Sequence, residues 1–295
     1  MTDQKAPAPG RKRVRLADAK TLPLMLLLLA AFVTAFLPVW RQLVSTWSGS
    51  EDHSFGFFIL PLSLYLVWRE KVRLAAIPIR PSAAGLALVI GSLIVYVSSS
   101  LAEITTAASI SMVAFAAAAT AYLAGFGMVR ALLFPLFFLL FMIPVPAQIY
   151  ASLTIPLQLL VSKVSAAAAG TAGLPVCREG NVLHLPAHTL EVVEACSGLR
   201  SMISLLALSA FYGYLSLRSN RLRGLLFLLG IPVAIAVNVA RILIVAFAMY
   251  FLGLDLVSGA AHTLFGVALF LLALLLIAST QKALAIWDRS GRQES

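Results

Sequence analysis

Residues 218–251 read RSNRLRGLLFLLGIPVAIAVNVARILIVAFAMYF, and this stretch decides the fold class. Arg218, Arg221 and Arg223 precede a long apolar run in which Asn238 and Arg241 are the strongly polar side chains. A hydrocarbon core of roughly 30 Å needs about 20 such residues to be crossed by a helix. Arginines beside a run of this kind mark a cytoplasmic loop. The segment therefore predicts a membrane span whose arginine-rich end lies inside.

The pattern repeats outward in both directions. The chain is 61% hydrophobic with a mean hydropathy of +0.96, which excludes an ordinary soluble domain. Spans near 22–40, 53–68, 82–100, 104–124, 131–147, 197–217, 224–251 and 263–281 predict an all-α polytopic membrane protein of about eight transmembrane helices. No internal repeat is evident. The basic segment from Arg11 to Lys20 resembles the start of a signal peptide. The apolar run that follows it is longer than the usual core of 7–15 residues and lacks a small-x-small cleavage site, so it reads as an uncleaved first span.

The net charge of +10 does not indicate nucleic acid. Lys and Arg sit in short patches between apolar runs, where they set topology and meet anionic membrane lipids. With both termini cytoplasmic, 17 of the 22 Lys and Arg lie inside, the exceptions being Arg41, Lys163, Arg178, Arg200 and Arg241. The expected organisation is a cytoplasmic tail over 1–21, one transmembrane domain over 22–281 and a cytoplasmic tail over 282–295. Residues 148–196 form the one substantial extracytoplasmic segment. Its apolar stretch from Ile155 to Ala172 carries Lys163 midway, which predicts an interfacial or re-entrant helix. Val182 to Leu185 and Thr189 to Val193, around Pro186, predict a short β-hairpin leading into the next helix.

That helix opens with Glu194-Ala195-Cys196-Ser197-Gly198-Leu199-Arg200. At 1.5 Å per residue, Cys196 lies roughly 33 Å from Arg218, Arg241 roughly 27 Å from Arg223, and His262 roughly 30 Å from Lys282. All three side chains are thereby expected at the outer interface. A cysteine at a helix N-terminus is favoured as thiolate by the dipole, and Arg200 one turn on adds positive charge. Asn238 and Arg241, three residues apart, share a helix face. The guanidinium could hold a carboxylate or an oxyanion, and His262 could shuttle protons. Each residue alone also has a plain structural reading: a small buried thiol, an arginine reaching the headgroups, a helix-capping histidine. Two cysteines, Cys177 and Cys196, support neither a disulfide framework nor a four-ligand zinc site, although one disulfide between them stays open. No metal or cofactor is expected.

The chain resembles the exosortase family of membrane-embedded cysteine transpeptidases from about His53 to about Leu275. The resemblance rests on Leu190 to Ser201 around Cys196, then Asn238-Val239-Ala240-Arg241, then His262 with Gly266. Phe57 to Trp68 and Ile143-Pro144-Val145-Pro146 add weaker support. The subtype is similar to exosortase A, associated with exopolysaccharide-producing bacteria. The resemblance implies Cys196 as nucleophile, Arg241 as its essential partner and His262 as acid/base, with Glu194, Ser197, Gly198, Arg200 and Asn238 as supporting candidates. It further implies, as partners, exported proteins bearing a C-terminal PEP-CTERM signal: Pro-Glu-Pro, a hydrophobic helix and a basic tail. The acceptor is open. Localisation is expected in the cell inner membrane, with the site facing the periplasm. Two features depart from the family pattern: Phe55 stands where a histidine is common, and Cys177 matches no motif. Simple hydrolysis, or a non-enzymatic role in exopolysaccharide export, are the alternative readings.

Overall fold

A computed structural model of the protein describes residues 22–186, 188–192, 198–254, 256 and 259–290. The architecture is that of an all-α polytopic membrane protein, with two compact units over Met1–Pro144 and Val145–Ser295. Among the described residues, five helices are long and apolar enough to cross a membrane: Ala83–Leu101, Thr105–Leu123, Ala147–Thr171, Asn220–Leu252 and Ala261–Asp288. A bent pair, Pro23–Ala35 and Leu37–Gly49, meets the same criterion as one broken span. Gly56–Arg69, Leu133–Met142 and Ser201–Ser216 are apolar but shorter.

The first unit begins with α1 (Leu22–Ala35) and α2 (Leu37–Gly49), which bend by 68° at Phe36. Pro38 explains the break, since it has no N–H for the Thr34 carbonyl and its ring crowds that oxygen. The exposed Ala35 carbonyl is not left bare: the Tyr96 hydroxyl donates to it at 3.2 Å. Phe36 is fully buried against the rings of Phe32, Tyr96 and Phe115. Then come α3 (Gly56–Arg69), α4 (Lys71–Ala75), α5 (Ala83–Leu101), α6 (Thr105–Leu123), α7 (Phe126–Ala131) and α8 (Leu133–Phe138). Small residues let α5 and α6 approach closely, as packing between apolar helices in lipid requires. Ser92 and Ser99 are buried on one, and Ala108, Ser111, Ala118 and Ala121 on the other. A side chain at Gly85 would collide with the Tyr122 backbone. Two long-range bonds tie the rest together: Trp47 Nε1 donates to the Met142 carbonyl at 3.0 Å, and Ser63 Oγ to the Pro135 carbonyl at 2.9 Å.

The second unit comprises α9 (Ala147–Thr171), β1 (Cys177–Glu179), β2 (Val182–His184), β3 (Thr189–Glu191), α10 (Gly198–Ser216), α11 (Asn220–Phe247) and α12 (Gly259–Ser290). Where an interfacial or re-entrant helix is expected, α9 is one continuous helix of 25 residues, long enough to cross. Lys163 does not interrupt it because the lysine is exposed, whereas Val161, Ser162, Ser165 and Ala169 form the buried face. The expected hairpin is β2–β3, closed by paired bonds between Leu185 and His188, and a third strand, β1, lies antiparallel on its other side. Leu183, Leu185, Leu190 and Val192 bury one sheet face against Val161 and Ala169 of α9 and Ile242, Val245 and Ala246 of α11. The Arg178 guanidinium closes the β1–β2 turn, donating to the Gly180 carbonyl at 2.6 Å and to Ser162 Oγ at 3.4 Å.

The α10–α11 hairpin is held by Arg223. Its Nε donates to the Leu217 carbonyl at 2.8 Å and its Nη2 to the Tyr214 carbonyl at 3.3 Å, covering the last carbonyls of α10. The Arg218 N–H donates to Asp288 Oδ2 at 2.9 Å, which ties the far end of α12 to the same hairpin. At its other end α11 passes into a π turn, Ala248–Leu252, stopped by Gly253 in a left-handed conformation (φ 63°).

Candidate active site

Arg241 and His262 meet. Arg241 Nη2 lies 3.1 Å from His262 Nε2, and His262 Nδ1 lies 3.2 Å from the Leu256 carbonyl oxygen. A guanidinium only donates, so Nε2 must accept. The ring hydrogen then sits on Nδ1, from which it donates to Leu256. One tautomer satisfies both bonds, with the basic lone pair of the imidazole covered by Arg241. The guanidinium lies across Gly266, where an added Cβ would sit 3.4 Å from Nη2 and 3.8 Å from Cζ.

Below this pair a small cleft of about 30 Å³ runs between α10, α11 and α12. Its α11 wall is Ala234, Val237, Asn238 and Arg241, its α12 wall Gly266, Leu269, Phe270 and Ala273, and its α10 wall Ser201 and Leu205. Both longer walls repeat at i, i+3, i+4, i+7, one face of an α-helix. The walls run in a common direction from the Arg241 end toward the α10–α11 hairpin. Asn238 is 7% exposed and lines this cleft beside Arg241, as their three-residue spacing predicts.

Cys196, Glu194 and Ser197 lie outside the described residues, and Gly198 and Arg200 are described only as backbone of the first turn of α10. Ser201, the next residue, already borders the cleft, so α10 begins at the rim that carries Arg241. Cys177 stands in β1 as an exposed, free thiol. The sequence reading missed the apolar lining of the cleft. The signal was available as Ala234, Val237, Asn238 and Arg241 facing Gly266, Leu269, Phe270 and Ala273. Two matching faces say nothing, however, about which helices stand opposite one another.

Comparison with curated proteins and with solved structures finds no match. The family model described as transmembrane exosortase matches residues 40–279, a range holding Cys196, Arg241 and His262 and well over half of the chain. The chain belongs to the transmembrane exosortase family.

Proposed function

We propose that the protein is a membrane-embedded cysteine transpeptidase acting on exported proteins that end in Pro-Glu-Pro, an apolar helix and a basic tail. The observation that carries this reading is the Arg241–His262 pair at the head of a cleft bordered by α10, the helix that follows Cys196. The Cys196 thiolate attacks the carbonyl carbon of a peptide bond near Pro-Glu-Pro. Arg241 donates to the oxyanion that forms. Turned toward the bound substrate carbonyl, it has already uncovered Nε2 of His262, which took the thiol proton to make the attacking thiolate and now passes that proton to the leaving amine. The C–N bond breaks, the tail departs, and the acyl group stays on sulfur as a thioester. An acceptor nucleophile then attacks the thioester carbonyl, loses its proton to His262 and restores the thiol.

The same reading puts the Arg241 end of the bundle at the periplasmic surface of the inner membrane. The α10–α11 hairpin, with Arg218, Arg221 and Arg223, faces the cytoplasm. A substrate helix with its basic tail inside then brings Pro-Glu-Pro level with Arg241, and its glutamate pairs with Arg241 or Arg200.

Immunoblotting of substrate C-termini at matched enzyme levels tests the proposal. Cys196→Ser should abolish trimming while the protein still inserts, and a thioester of substrate on Cys196 should be detectable by mass spectrometry in the parent. Normal trimming with Cys196→Ser would favour a non-enzymatic export component. Trimming without any adduct beyond water would favour a simple protease.

A further inference from the structure

We propose that the open edge of β3 binds an extended stretch of an exported polypeptide as a fourth strand, beside the Arg241–His262 pair. The occupant rests on the peptidase reading; the mode of binding comes from the sheet itself.

The first ground is the hydrogen bonding of the hairpin. Leu185 and His188 exchange both backbone bonds, at 2.8 and 3.3 Å, and the Val192 N–H donates to the Asn181 carbonyl at 3.0 Å. Bonded and non-bonded pairs alternate along an antiparallel ladder. Leu183 therefore exchanges bonds with Leu190, whereas Thr189, opposite His184, and Glu191, opposite Val182, turn their backbone groups away from β2. Their N–H and C=O groups line the far edge of β3 and have no hydrogen-bond partner among the described residues. Both residues are exposed. The other side of the sheet is fastened, since Ser162 of α9 and Arg178 both donate to the Gly180 carbonyl. An edge that repeats donor and acceptor at every second residue fits another extended backbone. A lipid headgroup or a small anion has no such repeat.

The second ground is where the edge leads. Leu190 and Val192 are buried in one apolar cluster with Ile242, the residue after Arg241. Leu256, whose carbonyl oxygen lies 3.2 Å from His262 Nδ1, packs on the same cluster. Strand and pair thus stand on one support. Cys196 follows Glu191 by five residues, a reach of at most about 18 Å. A backbone added to β3 is thereby held within a few extended residues of the thiol.

Charge sets the chemistry of the added strand. Glu179 and Glu191 stand on the exposed face of the sheet, and His184 Nε2 lies 3.5 Å from Glu179 Oε2. Glu191 has no ion-pair partner among the described residues. A side chain directly opposite it on an added strand would share its face, which favours lysine, arginine or threonine there over glutamate.

The test uses the full-length protein with Cys196→Ala in nanodiscs, so that binding is read without turnover. The probe is a fluorescein-labelled octapeptide of threonine and valine with one central lysine, followed by anisotropy. N-methyl groups moved along its backbone residue by residue should give a two-residue period. Where the N–H faces β3, binding should weaken by about 5–10-fold, and at the residues between it should hold. Losses without that period would overturn strand addition. Glu191→Pro removes one edge N–H and no ladder bond, so the thermal midpoint should hold while binding falls. Should that variant fail to fold, the methylated peptides on the parent protein still decide. The parent should prefer lysine over glutamate at the centre of the peptide by about 2–5-fold, and Glu191→Lys should reverse the order. An unchanged preference would overturn the placement on β3.

The two readings separate cleanly. If the octapeptide binds with the two-residue period while the unaltered enzyme trims no exported protein, the β3 site stands and the peptidase reading falls. If exported proteins are trimmed but the octapeptide does not bind, the β3 site falls alone. Concentration-dependent dimerisation that is lost in Glu191→Pro would make a second copy of the chain the occupant, and would overturn the proposal.

Discussion

At the scale of single residues, Arg241 carries the most demanding geometry. It covers His262 Nε2, lies across Gly266 and faces the cleft. Arg241→Lys keeps the charge but replaces a planar fork with one ammonium, which cannot cover the imidazole and face the cleft together. Turnover of the peptide substrate should fall by about 10²–10³-fold, the usual loss when an oxyanion donor is removed. His262→Ala should cost about 10²–10⁴-fold by removing the proton carrier. Gly266→Ala is a finer probe. Its Cβ would press on the guanidinium at 3.4 Å, so a shift of a few tenths of an ångström should lower kcat/KM by about 10-fold, with the thermal midpoint in detergent unchanged. A variant as active as wild type would mean that the position of Arg241 does not matter to the chemistry.

At the scale of elements, two polar fastenings hold apolar helices in position. Arg223 bonds the Leu217 and Tyr214 carbonyls and stacks its guanidinium over the Tyr214 ring at 4.6 Å. Arg223→Ala should lower stability by about 1–2 kcal/mol, read as a lower midpoint in detergent unfolding, because carbonyls at the end of α10 lose their donors. Arg223→Lys should recover only part, having one donor head where two carbonyls need bonds. Ser162 does the corresponding work at the other end of this unit. It is fully buried on α9 and donates to the Gly180 carbonyl at 2.9 Å, fastening the β1–β2 turn to the helix. Ser162→Ala should leave α9 helical but expose the turn near Gly180 to protease in detergent. No change in cleavage there would show that the apolar sheet face alone holds the strands.

At the scale of the whole molecule, topology follows from charge. The proposed arrangement keeps the α10–α11 hairpin inside and β1–β3 outside. In a Cys177→Ser, Cys196→Ser background, an impermeant thiol reagent on spheroplasts should label a cysteine placed at His188 and not one at Arg221; the opposite result would invert the arrangement. Much of this protein was legible in the sequence, because lipid demands long apolar runs and those are written locally. So was the equal depth of Arg241 and His262, which is arithmetic on helix rise, and the structure brings these two side chains into contact. The β2–β3 hairpin could be read from alternation around Pro186. Less legible was α9, where a lysine argued against a span and only packing showed that Lys163 points away from the buried face. β1 was missed because three residues, Cys177–Glu179, carry too little pattern and are held by Arg178 and Ser162 across the turn. The sequence by itself determined the helical membrane class and which polar residues share a depth, since both depend on spacing along one chain. Tertiary structure alone decided that the α11 and α12 faces meet beside Asn238 to form a partly open cleft with a mostly apolar lining. Which helices become neighbours depends on close packing among many similar apolar faces, and no local spacing records that choice.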